Sequence, residues 1–321
     1  MKAFNLVVLC AGLMAVSGAA SAAQPEAKPA DSPTVQQQCN ADPKASPDSI
    51  VKACTALIQS GKFKGAELSA LLIRRAGAYA IEQEHDRAIA DYDQAITLDG
   101  KNAGAFVGRG DAYAVKGDYD RAIADYDQAI TLDPKNAGNY RKRGGAYYDY
   151  KGDYGKAIAD YDQAIKLDPT NPADYHTRGM AYEEKGDYDK AIADYGQEIK
   201  LFPNGPGGYV VRCECRALQG KDLDEALADC NESVRLAPRS GLNLRVRGVV
   251  ELRLGLNEKA WADFDASLKI EPEFASGLYG RAVAEARLGR KAEAEADRAA
   301  AVKINPKIAE FFAEYGVTFQ P

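Results

Sequence analysis

Residues 117–134 read GDYDRAIADYDQAITLDP, and nearly the same wording returns as GDYGKAIADYDQAIKLDP at 152–169 and GDYDKAIADYGQEIKLFP at 186–203. Gly ends one helix and Asp can cap the next. After that cap, Ala122, Ile123, Tyr126, Ala129 and Ile130 fall on one helical face, and Pro134 closes the run. Upstream, AFVGRGDAYAVK carries Phe106, Arg109, Gly110 and Tyr113 at helical spacing, so the unit is two helices. Pro134, Pro169, Pro203, Pro238, Pro272 and Pro306 recur every 34 or 35 residues, with Gly100 in the same place one period earlier. A fixed period of this length predicts an all-α solenoid of helix–turn–helix repeats, in which each unit is stabilised by its neighbours.

The pattern aromatic-x-x-x-Gly-x-x-Tyr, then Ala-x-x-x-Tyr-x-x-Ala, then Pro is filled by Phe106, Gly110, Tyr113, Ala122, Tyr126, Ala129 and Pro134. It resembles the tetratricopeptide family, and its RG-x-AY and AIADYDQAI wording looks like exported tetratricopeptide proteins of α-proteobacterial type. The resemblance implies a right-handed superhelical solenoid of seven repeats: 69–102, 103–136, 137–171, 172–205, 206–240, 241–274 and 275–308. The third and fifth each carry one extra residue. Repeats six and seven are worn: Glu251 and Glu285 replace the Tyr, and Arg298 the second aromatic. Residues 48–68 read as a degenerate zeroth repeat. Residues 309–321 read as a capping helix and tail, with Ile308, Phe311, Phe312 and Tyr315 on one face.

Outside the repeats, Lys2 followed by AFNLVVLCAGLMAV and SGAASAAQ is a secretory signal over 1–23, too short to span a membrane. Residues 24–47 contain five prolines and almost no large apolar group, and read as a flexible leader. Export predicts a periplasmic or secreted protein. The formal net charge of -6 carries no basic excess of the kind nucleic acid requires. No later apolar run predicts membrane insertion.

The catalytic inventory is short. His85 and His176 lie in different repeats, and no zinc-binding, Cys-x-x-Cys or phosphate-loop motif occurs. No catalytic residue, metal or cofactor is expected. An exported hydrolase or carbohydrate-handling enzyme using the repeats as scaffold is the alternative, and a spacer with end-to-end contacts a third reading.

Two recurrent positions need a structural reading. Arg75, Arg109, Arg143, Arg178, Arg212, Arg247 and Arg281 occupy the seventh place, where the family usually has Leu. Asp91, Asp125, Asp160, Asp194, Asp229, Asp263 and Asp297 occupy the twenty-third. Arginine can bury its stem and fork onto a carboxylate, so the expectation is an internal ladder rather than a binding row. The further carboxylates of DYDQ read as a solvated outer face.

The resemblance implies that partners bind the concave face, lined by the first helix of each repeat. Its exposed positions would be Ile73, Val107, Asp111, Arg141, Tyr148, His176, Met180, Glu183, Glu214, Arg245, Leu252, Arg253, Tyr279 and Arg287, with Asp149 and Glu184 beside them. The partner expected is a protein or extended peptide, with Tyr148, Met180 and Leu252 as anchors and Arg245, Arg253 and Arg287 steering an acidic stretch. The Lys/Asn clamp for C-terminal carboxylates is missing. Repeats one to four hold 18 basic and 24 acidic residues, and repeats five to seven 17 and 16.

Five cysteines remain after signal cleavage. Cys213 stands where other repeats have Gly, and Cys230 where they have Tyr, so the two should face each other. Cys54 aligns with Cys230 and lies 15 residues from Cys39. The expected bridges are Cys39–Cys54 and Cys213–Cys230, with Cys215 free; Cys215–Cys230 is the rival pairing and five thiols the remaining one.

Overall fold

The computed structural model describes Cys39 and residues 46–320. The signal 1–23, and the leader apart from Cys39, Ser46 and Pro47, lie outside the described residues. Among the described residues there are sixteen α-helices and no strand. Helix α1 (Pro47–Gln59) precedes seven helix pairs. These are α2 (Gly65–Ile81) with α3 (His85–Leu98), α4 (Ala103–Val115) with α5 (Tyr119–Leu132), and α6 (Ala137–Ala146) with α7 (Tyr154–Leu167). Then come α8 (Pro172–Glu184) with α9 (Tyr188–Leu201), α10 (Pro206–Gln219) with α11 (Leu223–Leu236), α12 (Gly241–Arg253) with α13 (Asn257–Ile270), and α14 (Ala275–Arg287) with α15 (Lys291–Ile304). A short α16 (Ile308–Glu314) follows. Each helix packs on the next, as in a solenoid.

Local chemistry sets the boundaries. Asp118 and Asp153 accept the backbone N–H of Arg121 (3.3 Å) and Lys156 (3.1 Å), capping α5 and α7. Asn102, Asn136 and Asn171 cap the first helices of repeats two to four. The extra residue of repeat three is absorbed as a π-helical turn, Tyr147–Lys151, after α6, released by Gly152 at φ 56°. Within each pair the contact is close. A Cβ at Gly179 would stand 2.7 Å from the Tyr195 ring, so the aromatic fills the space that glycine leaves open. Cys213 and Cys230 occupy this same pair of facing sites and are bridged. Cys39 is bridged to Cys54 on α1, and Cys215 is a buried free thiol.

The Arg/Asp ladder is internal, as its spacing implies. In all seven repeats the arginine forks Nε and Nη2 onto both oxygens of its aspartate, at 2.6–3.1 Å. The remaining Nη1 was not foreseen. It reaches back to the preceding repeat: Arg109 to Asp93, Arg143 to Asp127, Arg178 to Asp162, Arg247 to Asn231 and Arg281 to Asp265. Arg75 makes the equivalent bond to Thr55 on α1, so α1 occupies the place of the second helix of a zeroth repeat. The second aspartate of DYDQ is therefore an inter-repeat staple, a correction to its reading as solvated face. Repeat four has Gly196 at this place, and there Arg216 joins Arg212 on Asp229 instead.

The worn repeats carry a cost. Glu251 and Glu285 are buried, and their Oε2 atoms have no hydrogen-bond partner. Burial, reinforced by neighbouring Asp263, pushes the Glu251 carboxyl up to about 7. A raised carboxyl favours the folded state below its unfolded value and loses that advantage as pH climbs through the folded one. Wild-type stability should therefore fall between pH 4.5 and 8, by roughly 3 kcal/mol from this group. Urea titrations should show Glu251→Gln gaining on wild type at pH 8 and not at pH 4.5. An equal gain at both values would refute the assignment.

Candidate functional site

The face formed by the first helices divides into an open and an occupied stretch. In repeats one to four the polar inner side chains pair within and between those repeats. Ile73 and Val107 are half-buried there. Asp111 accepts from Tyr126 Oη (2.9 Å) and Lys142 Nζ (2.8 Å). Arg141 forks onto the fully buried Asp174 of the next repeat. His176 Nδ1 lies 2.8 Å from Glu198, whose bond and charge raise the imidazole above its ordinary value against the opposing effect of burial. Glu183 accepts from Tyr195 Oη at 2.9 Å.

Between repeats three and four a cavity of about 240 Å³ is lined by Arg141, Gly145, Tyr148, Asp149, Tyr161, Thr177 and Met180. Tyr148 is held edge-on against Tyr154 at 5.4 Å, with Asp149 exposed at the rim and the exposed Glu184 carboxylate close to both tyrosines. The π-helical turn brings Tyr148 and Asp149 here. A larger depression, about 620 Å³, lies elsewhere, between α1 and the first repeat. It is wide open, and its charged Arg75 and Asp91 already satisfy each other, so the concave cavity is the better candidate.

Repeats five to seven are different. Tyr279, Leu252 and Arg245 are buried, contrary to their expected exposure. Helix α16 packs on both helices of the last repeat, as an end cap would, and also reaches over the inner face toward α12 and α10, covering Tyr279, whereas Arg245 is packed on Phe274, Glu271 and Ser267. Phe312 packs on Tyr279 (4.9 Å), and Tyr315 Oη donates to Glu214 on α10 (2.5 Å). The half-buried Glu214 carboxyl is pushed up, desolvation outweighing the tyrosine bond. Of the expected steering arginines, Arg245 is buried against Glu271 and Ser267, Arg253 is half-buried and donates to the Ala217 carbonyl, and Arg287 stays exposed while donating to the Leu252 carbonyl. Nearby Cys215 has its thiol pushed up by burial and by the Glu183 carboxylate, which keeps it neutral.

Four tetratricopeptide-repeat family models match, over residues 69–102, 110–186, 172–204 and 245–307. The chain is a tetratricopeptide repeat protein. No curated protein matches. Among solved structures, the C-terminal part of a TPR repeat-containing protein from Cytophaga hutchinsonii superposes with a TM-score of 0.62 at 22% identity, over 73% of this chain and 94% of that one. PilW, described as a widely conserved type IV pilus biogenesis factor, gives 0.57 at 19% identity, over 65% and 96%. YrrB, described as a TPR protein with an unusual peptide-binding site, gives 0.52 at 22%, over 59% and 97%. At these identities the likeness carries the fold. With the family it supports a protein-interaction scaffold. Among the described residues no helix is long and apolar enough to cross a membrane.

Proposed function

We propose that this tetratricopeptide protein is a non-catalytic, exported scaffold that holds an extended segment of a protein partner along repeats one to four. The observation that carries the reading is the open cavity at Tyr148 and Met180, rimmed by Asp149 and with Glu184 beside Tyr148. An aromatic anchor beside a polarizable methionine suits a large apolar side chain. Carboxylates at the rim suit flanking Lys or Arg on the partner and would steer its approach. This reverses the expected partner charge, because the arginines of repeats five to seven are already engaged. The two bridges support export, since disulfides persist in oxidising compartments.

The test is crosslinking in the periplasm with capture of the bound protein. Tyr148→Ala should reduce recovery at least tenfold, consistent with about 2 kcal/mol for a central anchor. Asp149→Lys combined with Glu184→Lys should slow association and remove its salt dependence. If both folded variants keep every wild-type partner, repeats one to four are not the binding surface.

A further inference from the structure

The C-terminal segment is seated the way a peptide ligand would be. Ile308, Phe312 and Tyr315 stand at i, i+4 and i+7, the spacing by which one helix face enters a groove. All three are buried, as is Val317. Phe312 contacts the Tyr279 and Phe264 rings at 4.9 and 6.5 Å, and Phe319 closes on Tyr279 at 6.5 Å beneath Arg298. The tyrosine hydroxyl bonds a residue 101 positions earlier, across three repeats. A three-residue linker, Asn305–Lys307, joins the segment to α15.

Capping alone does not account for α16, although it packs on both helices of the last repeat. Helix α15, KAEAEADRAAAVKI, buries little beyond Ala294 and Ala301, and its other face is already polar. The seating is also incomplete. Beside the segment a cavity of about 210 Å³ remains, walled by Val246, Val249, Phe264 and Phe312, with Glu214 at its side. Leu242, Phe274 and Phe311, three of the exposed large apolar side chains, line the same cavity. The cavity opens to solvent past these side chains, so apolar surface beside the segment is left uncovered.

We propose that the groove of repeats five to seven is a second peptide-binding surface, closed by the chain's own residues 308–319 acting as an in-chain ligand. The displacing partner is a short helical segment with large apolar residues at i and i+4 and a hydroxyl donor at i+7 that reaches Glu214. An in-chain occupant competes at the high effective concentration a short tether provides. The wild-type groove is therefore masked until the competitor is weakened or outmatched. This surface is separate from repeats one to four, and its failure would leave the reading of the open stretch untouched.

The probe is a fluorescent synthetic peptide of residues 306–321, titrated into the full chain. Phe312→Ala in the chain weakens the in-chain competitor and should tighten peptide binding at least tenfold over wild type. The same substitution in the peptide should abolish binding to that variant. A variant that keeps its cooperative melt yet takes up no peptide overturns the proposal and makes α16 part of the core. Should Phe312→Ala not fold, hydrogen exchange on the wild-type protein decides. Amides of 312–317 should open well before those of α12 and α14, and opening only together with those helices overturns it.

Discussion

Replacing Arg143 with Leu, the residue its family usually carries, should destabilise the protein by about 3 kcal/mol despite being apolar and well suited to a helix. The guanidinium forks onto Asp160, whose side chain is only 6% exposed, and bonds Asp127 of the preceding repeat. Leu would leave Asp160 buried without its countercharge, and breaking one side of such a pair is far costlier than removing both. Arg143→Leu with Asp160→Asn should therefore recover much of the loss. Position matters along the ladder. Arg212→Leu should cost less, because Arg216 still holds Asp229 and Gly196 leaves no inter-repeat bond to lose. Urea denaturation of the three variants and the wild type measures this. In a chain whose stability is a sum of repeat and interface terms, hydrogen exchange should place the Arg143 loss in repeats two to four. Unchanged stability in Arg143→Leu would mean the ladder is surface decoration.

What the sequence disclosed depended on repetition. The ladder could be read because seven copies put Arg and Asp in register, so two positions far apart in the chain declared a common site. The Cys213–Cys230 bridge followed from the same register, since each cysteine replaced one member of a recurring Gly/Tyr contact. The Nη1 staple escaped because Asp93, Asp127 and Asp162 are half-exposed acids on a polar face, and nothing in their type separates a staple from a solvated charge. The seating of α16 escaped for a stronger reason. Residues 308–319 occur once and have no register to borrow. The spacing of Ile308, Phe312 and Tyr315 announces that one face is buried, but an amphipathic pattern does not say against what. Reaching over the inner face as well as the last repeat, α16 covers Tyr279, and Arg245 is taken up by Phe274 and Glu271, which changes the charge of the partner the open groove suits.

Reduction of the Cys213–Cys230 bridge should cost about 3 kcal/mol, and the family's own Gly/Tyr pair should restore much of it. The loop between the two cysteines is 17 residues, short enough that closing it removes about this much unfolded-state freedom. Both sulfurs are fully buried in the core shared by repeats five to seven, against Val210, Ala226 and Val250. Cys230→Ala should therefore lose the bridge and also leave a small void where other repeats place an aromatic ring. Cys213→Gly with Cys230→Tyr instead recreates the contact seen at Gly179 and Tyr195, trading the covalent link for buried aromatic area. Its melting temperature should fall between those of the wild type and Cys230→Ala, and reductant should shift it only through Cys39–Cys54. Cys215 sits two residues along α10 with its thiol held neutral, so it should not exchange into the bridge. Peptide mapping of the non-reduced protein checks the pairing directly. A Cys215–Cys230 crosslink, or a double variant no more stable than Cys230→Ala, would show that the bridge is not a replacement for the aromatic contact.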